Sequence, residues 1–253
     1  MTLVIAHRGN SSAAPENTFA SFESAIAVGA AIIECDVQMT ADGHIVVIHD
    51  PTLDRTSDRA GDVRAMRLQD VRAADVSCPT LFGDRFSPQQ VPTLAELFAF
   101  VKGRARVMLE IKKESSQPGS DAFERKIAAE IVKSGLRVSP DMETDVAVLS
   151  FSTNILERMA SVLPDAPRGH LFYRDPDDVI FTAALRAQAM FVMPEKGHLS
   201  AGLLARAREK NLGVATWVCD DPVEFAALGE LGLLGIGTNH PAGMPGIAPL
   251  SAA

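Results

Sequence analysis

The run Ala31-Ile32-Ile33-Glu34-Cys35-Asp36-Val37-Gln38-Met39 passes through Thr40-Ala41-Asp42-Gly43-His44 into Ile45-Val46-Val47-Ile48-His49-Asp50. The first part reads as a strand buried on both faces, since its residues are apolar except for two acids and Gln38. The link to Ile45 is too short for a parallel crossover, so Ile45 to His49 is predicted to return as a hairpin. Taking Asp42-Gly43 as a two-residue turn and counting back places Asp36 opposite His49. Glu34 and Asp36 are two apart on a strand, so both leave one face while Cys35 points the other way. They can stand as solvent-facing acids or meet one ion. Ile32, Ile33 and Val37 make the segment look buried, and unpaired buried carboxylates are costly, which favours a metal site.

Outward from this stretch, short apolar runs alternate with segments of helical period, the pattern of parallel strands joined by crossover helices. Strands are predicted near Leu3 to His7, Ala31 to Met39, Val107 to Lys112, Val146 to Phe151, Gly169 to Tyr173, Ala189 to Met193, Val214 to Cys219 and Gly235 to Asn239. Eight fit an α/β fold of the closed (β/α)₈ TIM-barrel type. Helices are expected after an Asn17 cap (Phe19, Phe22, Ile26), after Thr93 (Leu94, Leu97, Phe98, Val101), and near Asp121, Thr153, Pro176, Leu199 and Pro222. The 253 residues suit one catalytic domain, 1–253, with a turn-rich insertion at about 51–91 after the hairpin.

The strand ends carry the chemistry. Glu110 and Lys112 share a face, and Glu110 joins Glu34 and Asp36 as a third carboxylate. Three oxygen donors without Cys or paired His suit a hard cation, Mg²⁺ or Ca²⁺. His7 and Arg8 close the first strand at the rim where barrel active sites sit. Taken singly, His7 reads best as a core histidine and Arg8 as a surface charge; together with His49 and Asp50 they read as a site. Two imidazoles beside a metal-bound phosphate can act as acid and base, and Arg8 can fork onto phosphate oxygens.

The formal net charge of −8 argues against nucleic-acid partners and stable membrane association, leaving a small-molecule substrate whose anionic part a bound cation would attract. Cys35, Cys78 and Cys219 are odd in number and far apart, which suits reduced structural thiols. Met1 runs directly into Leu3-Val4-Ile5-Ala6-His7 with no secretion-type segment, so a cytoplasmic location is expected.

The ordered set His7-Arg8-Gly9, Pro15-Glu16-Asn17-Thr18, Glu34-Cys35-Asp36, Thr40-Ala41-Asp42-Gly43 and Val47-Ile48-His49-Asp50 resembles the glycerophosphodiester phosphodiesterases. The likeness continues through Asp50 to Arg55, Val91-Pro92-Thr93-Leu94, Leu109 to Lys112, Ser150-Phe151 and Thr216-Trp217-Val218. It implies a TIM-barrel hydrolase that cleaves glycerophosphodiesters to sn-glycerol 3-phosphate and an alcohol, through a cyclic phosphate. It also implies His7 and His49 as acid and base, Glu34, Asp36 and Glu110 as ligands of Mg²⁺ or Ca²⁺, and Arg8 and Lys112 as phosphate contacts. Phe151 and Trp217, at strand ends, can pack against the glycerol or the alcohol. One departure stands out: the family usually shows Thr-Asp-x-Pro near its end, and this chain has Thr238-Asn239-His240-Pro241. His44, His170 and His198 read as ordinary surface or structural residues. The competing readings are a related barrel phosphodiesterase acting on intact phospholipid, which needs a lipid-facing rim, and a non-catalytic binding barrel, which the complete residue set speaks against.

Overall fold

The computed structural model describes residues 2–117, 119–141 and 143–246, so the last residues of the expected domain, 247–253, lie outside the described residues. Nine strands are present among them: β1 (Leu3–His7), β2 (Ile32–Met39), β3 (Ile45–Val47), β4 (Arg106–Ile111), β5 (Val146–Ser150), β6 (Arg168–Phe172), β7 (Phe191–Pro194), β8 (Gly213–Val214) and β9 (Gly235–Thr238). Eight run parallel in the order β8-β7-β6-β5-β4-β2-β1-β9, and β3 alone pairs antiparallel, with β2. The ring closes between its ends through a bridge from Thr216 to Ile236 and bonds from Thr216 N to Gly235 O and Gly237 N to Thr216 O. This is a TIM barrel. The run expected as Val214 to Cys219 is ladder only at Gly213–Val214, then continues through the single bridges Glu195↔Trp217 and Thr216↔Ile236.

Helices α1 (Phe19–Ala27), α4 (Leu94–Val101), α5 (Ala122–Ser134), α6 (Thr153–Val162), α7 (Asp178–Arg186), α8 (Ala201–Glu209) and α9 (Pro222–Gly229) connect the strands, while the short α2 (Leu68–Val71) and α3 (Pro79–Phe82) follow β3. Thr93 caps α4 in a reciprocal box with Glu96, as a Thr three residues before Glu favours. The cap of α1 is Thr18 rather than Asn17. Asn17 sits at φ 56° and turns its carboxamide to Asp36 instead, a use no helix pattern reveals.

Alternation along each strand sorts the core. Ala6, Ile33, Cys35, Val37, Val107, Leu109 and Val148 face outward, packed with Phe22, Leu97, Ile127 and Leu156 of the helices. Ile5, Ile32, Met108, Leu149, Leu171, Phe191 and Met193 fill the barrel's floor. Gly169 makes room for Phe191, whose ring would lie 2.3 Å from any Cβ there. Two residues further along each strand, on the same inward face, stand the polar groups: His7 above Ile5, Glu34 above Ile32, Glu110 above Met108. The barrel therefore rises from an apolar plug to a charged rim. Between β3 and α4, a separate small core of Val46, Ile48, Leu53, Val63, Val71, Val76 and Val91 holds the turn-rich segment against the hairpin.

The hairpin register differs from expectation by one residue. Val37 pairs Val47 and Met39 pairs Ile45, so Ile48 N donates to Asp36 O and Ile48, not His49, lies opposite Asp36. The turn spans three residues, 41 to 43, closed by Thr40 N to His44 O, with Gly43 at φ 81°. An Asp-Gly pair serves this longer loop equally well, with Gly at its left-handed position.

Candidate active site

Register brings the acids together. His7 pairs Glu34 across β1 and β2, and Asp36 pairs Glu110 across β2 and β4, so all four side chains point into the same barrel mouth. Glu34, Asp36 and Glu110 are buried, and one carboxylate oxygen from each lies within 4.8 Å of the others. They can hold one metal ion. Lys112 reaches between them, with Nζ 2.6 Å from Glu110 Oε1 and 2.8 Å from Asp36 Oδ1. Arg8 approaches from the other side: Nε lies 3.3 Å from Asp36 Oδ2, its backbone N donates to Glu34 Oε2, and Nη1 donates to Glu16 Oε1. Asn17 Nδ2 donates to Asp36 Oδ2 at 2.8 Å. Gly9, at φ 82°, lets the chain turn there; a Cβ would meet Ser21 Oγ at 2.5 Å.

The electrostatics explain why a cation fits. Burial alone would raise the pKa of Asp36, but Lys112 and Arg8 hold it well below the ordinary carboxylate range. Glu34 is driven well above that range by burial and then by Asp36 and Glu110. Glu110 is pushed up to about 7 by burial and Asp36, against Lys112. Two positive side chains thus cannot keep three buried acids ionised at once, and an oxygen-only donor set that must shed protons suits a hard divalent ion.

The histidines flank this floor. His7 Nδ1 lies 2.8 Å from Asn239 Oδ1 and its Nε2 4.0 Å from Glu34 Oε2. Burial, followed by the charge of Arg8, lowers its pKa to about 4. His49 follows β3 with Nδ1 2.6 Å from Asp50 Oδ1; burial lowers its pKa while Asp36 and Asp50 oppose. Both rings keep Nδ1 on a partner, leaving Nε2 for a ligand.

The profile of the glycerophosphoryl diester phosphodiesterase family matches residues 7–243. The chain belongs to that family. It is 32% identical to a glycerophosphodiester phosphodiesterase of Caldanaerobacter subterraneus over 95% of both chains. Among solved structures, a glycerophosphodiester phosphodiesterase from Agrobacterium tumefaciens superposes with a TM-score of 0.80 at 28% identity, covering 96% of this chain and 98% of that one. A phosphodiesterase from Oleispira antarctica, solved with the product sn-glycerol-3-phosphate, gives 0.81 at 22% identity over 96% and 94%, which speaks to the fold alone. Like the family, the chain is a phosphodiesterase of the hydrolase class. Among the described residues no helix is long and apolar enough to cross a membrane.

In this phosphodiesterase, Phe151 and Trp217 stand together in the mouth, their rings 5.6 Å apart and near perpendicular; Trp217 is fixed by Nε1 donating to Met193 O. With His7, Arg8, Glu34, His49, Glu110 and Lys112 they line a cavity of about 120 Å³. A second hollow of about 240 Å³ continues past Phe151 to Tyr173, Pro51 and Glu114. All nine residues expected at a site therefore meet in one mouth. Sequence reading missed the supports: Glu16 and Asn17 beneath Arg8 and Asp36, Arg55 bridging Glu16 and Asp50, and Asp220 behind Asn239. Glu16, Asn17 and Arg55 lie inside motifs of the family, so position in those motifs was their available signal. Asp220 had none. His170 is buried on β6 and His198 pairs with Asp175, and neither lines these two cavities.

Proposed function

We propose that the protein hydrolyses glycerophosphodiesters to sn-glycerol 3-phosphate and an alcohol, with His7 and His49 as acid and base on a phosphate bound beside Glu34, Asp36 and Glu110, the three residues that would hold Mg²⁺ or Ca²⁺. The observation that carries this is the placement of the two imidazoles either side of three buried acids and two cations. Arg8 and Lys112 grip the non-bridging oxygens. A hydroxyl of the glycerol loses its proton to one Nε2 and attacks phosphorus, forming a cyclic phosphate; the departing alkoxide takes a proton from the other imidazole. Water, deprotonated by that second imidazole, then opens the ring, and the first returns its proton to the leaving glycerol oxygen. A bound divalent ion supplies neutralisation of charge on the phosphoryl oxygens. Phe151 and Trp217 pack against the carbon skeleton. The net charge of −8 fits a small-molecule substrate rather than a nucleic acid.

The test is release of sn-glycerol 3-phosphate from glycerophosphocholine and glycerophosphoethanolamine, with and without EDTA, by the wild type and by His7→Ala and His49→Ala. Metal-dependent release is expected, reduced about 10²–10⁴-fold in each variant. Folded protein that releases none under any divalent ion, or variants as active as the wild type, would overturn the proposal.

A further inference from the structure

Asn239 stands where the family's Thr-Asp-x-Pro motif usually carries an acid, and its surroundings show what the amide does there. It follows β9, and its carboxamide lies between His7 and Asp220. Asp220 accepts three hydrogen bonds: at Oδ1 from Thr238 Oγ1 (2.9 Å) and from Asn239 N (2.7 Å), and at Oδ2 from Asn239 Nδ2 (2.8 Å). Although burial opposes it, these bonds hold the Asp220 carboxyl below its ordinary pKa, so it stays ionised and can only accept. The NH₂ of Asn239 must therefore face Asp220, and its Oδ1 must face His7 Nδ1 at 2.8 Å and Ser11 Oγ at 3.0 Å. An amide oxygen has no hydrogen to give, so the proton of this contact sits on His7 Nδ1 and the lone pair on Nε2.

We propose that Asp220 is a positioning residue for this phosphodiesterase: through the Asn239 amide it locks His7 in the tautomer whose Nε2 is free for the substrate, and the two side chains form a matched acid–amide pair whose members can exchange but cannot both be acids. The inference rests on the proposed catalytic use of His7. If Asn239 alone becomes an acid, two carboxylates meet at the present 2.8 Å contact, where like charges cannot both ionise. If Asp220 alone becomes an amide, residue 239 loses the partner that decides which end of its amide faces His7. Exchanging both restores one acceptor toward His7 Nδ1 and one donor between the pair.

The experiment compares the wild type with Asp220→Asn, Asn239→Asp and the double exchange. It reads kcat and KM on glycerophosphocholine and, in metal-free protein, the His7 ring-nitrogen shifts by long-range ¹H–¹⁵N correlation, assigned by their loss in His7→Gln. Each single variant is expected to lose about 10–100-fold in kcat with KM nearly unchanged, the range for partners that orient a functional ligand. Asp220→Asn should also show both His7 tautomers. The double exchange should recover most of kcat and a single Nε2-lone-pair tautomer. A purely structural role would move melting temperature but not tautomer. The proposal is overturned if Asp220→Asn keeps one His7 tautomer and the wild-type kcat, or if the double exchange is no better than the worse single variant. Should Asn239→Asp fail to fold, the near-isosteric Asp220→Asn still decides by its tautomer. Because that readout needs no substrate, a locked tautomer in a protein inactive on every glycerophosphodiester would sink the assigned reaction and leave the lock standing.

Discussion

The two walls of the mouth support the same side chain by opposite means. His7 ends a barrel strand, its side chain is 17% exposed, and its Nδ1 meets a neutral amide whose charge-bearing partner, Asp220, lies one residue behind. His49 sits just past a hairpin arm, is 31% exposed, and meets a carboxylate directly. That carboxylate is in turn held by Arg55, whose Nε donates to Asp50 Oδ2 at 2.6 Å while its two Nη groups donate to both oxygens of Glu16 at 2.8 Å. Since Glu16 also accepts from Arg8, this ionic wall ties His49 to the arginine that follows β1. An amide oxygen and a carboxylate both orient an imidazole and favour its charged form, but only the carboxylate adds a full negative charge beside the ring.

Within the ionic wall, Asp50→Asn is the largest expected change, because it converts that wall into a copy of the neutral one. It removes the charge beside His49 and leaves Arg55 with Glu16 alone. A fall of about 10–100-fold in kcat with little change in KM is expected from steady-state kinetics on glycerophosphocholine. An Asp50→Asn enzyme as fast as the wild type would mean that the choice between acid and amide carries no mechanistic weight.

Arg55→Met sharpens the comparison by removing the tie while keeping both acids. Arg55 is 46% exposed, so its ion pairs are screened by water and should contribute no more than about 1 kcal/mol to folding. The expected result is therefore a kcat about tenfold lower with a denaturant midpoint close to that of the wild type, the lower end of what orienting partners contribute. Trp217 is the only tryptophan and lines the mouth, so a Ca²⁺ titration followed by its fluorescence should give an unchanged metal affinity. Equal losses of kcat and stability would place Arg55 in the fold rather than in the site.

How far these walls could be read from the sequence follows from how local their causes are. The barrel and its rim were legible because alternation and run length reflect burial, and Glu34 with Asp36 declared one face by spacing alone. The hairpin register slipped because Asp42-Gly43 serves both a two- and a three-residue loop, and a one-residue difference in turn length shifts every pairing. Asn17 was misread because a residue beside a helix start looks like a cap, whereas its carboxamide answers to Asp36 across the mouth. Asp220 meets Asn239, and Arg55 meets Glu16, only through tertiary closure, at separations of 19 and 39 residues, which no periodicity encodes.

The last comparison needs no substrate. His7 falls from its ordinary 6.5 to about 4 on folding, so the unfolded chain holds the extra proton. Its contribution to stability is complete above about pH 6.5 and is lost as pH falls toward 4. Glu110 rises from 4.5 to about 7, so the folded protein holds the extra proton; its contribution is complete below about pH 4.5 and is lost as pH rises through 7. Across about pH 4.5–6.5 the two slopes oppose one another. His7→Gln removes one of them, so in EDTA its melting temperature should fall from about pH 5 to 7.5 by several degrees more than that of the wild type. His49→Gln should steepen the curve less, because Asp36 and Asp50 offset the desolvation of that ring. Saturating Ca²⁺ should flatten all three curves on their alkaline side, since an ion that displaces the protons of Glu34 and Glu110 binds more tightly as pH rises. A His49→Gln curve steeper than that of His7→Gln would mean that the more desolvated imidazole stands on the ionic wall, against the burial that separates the two.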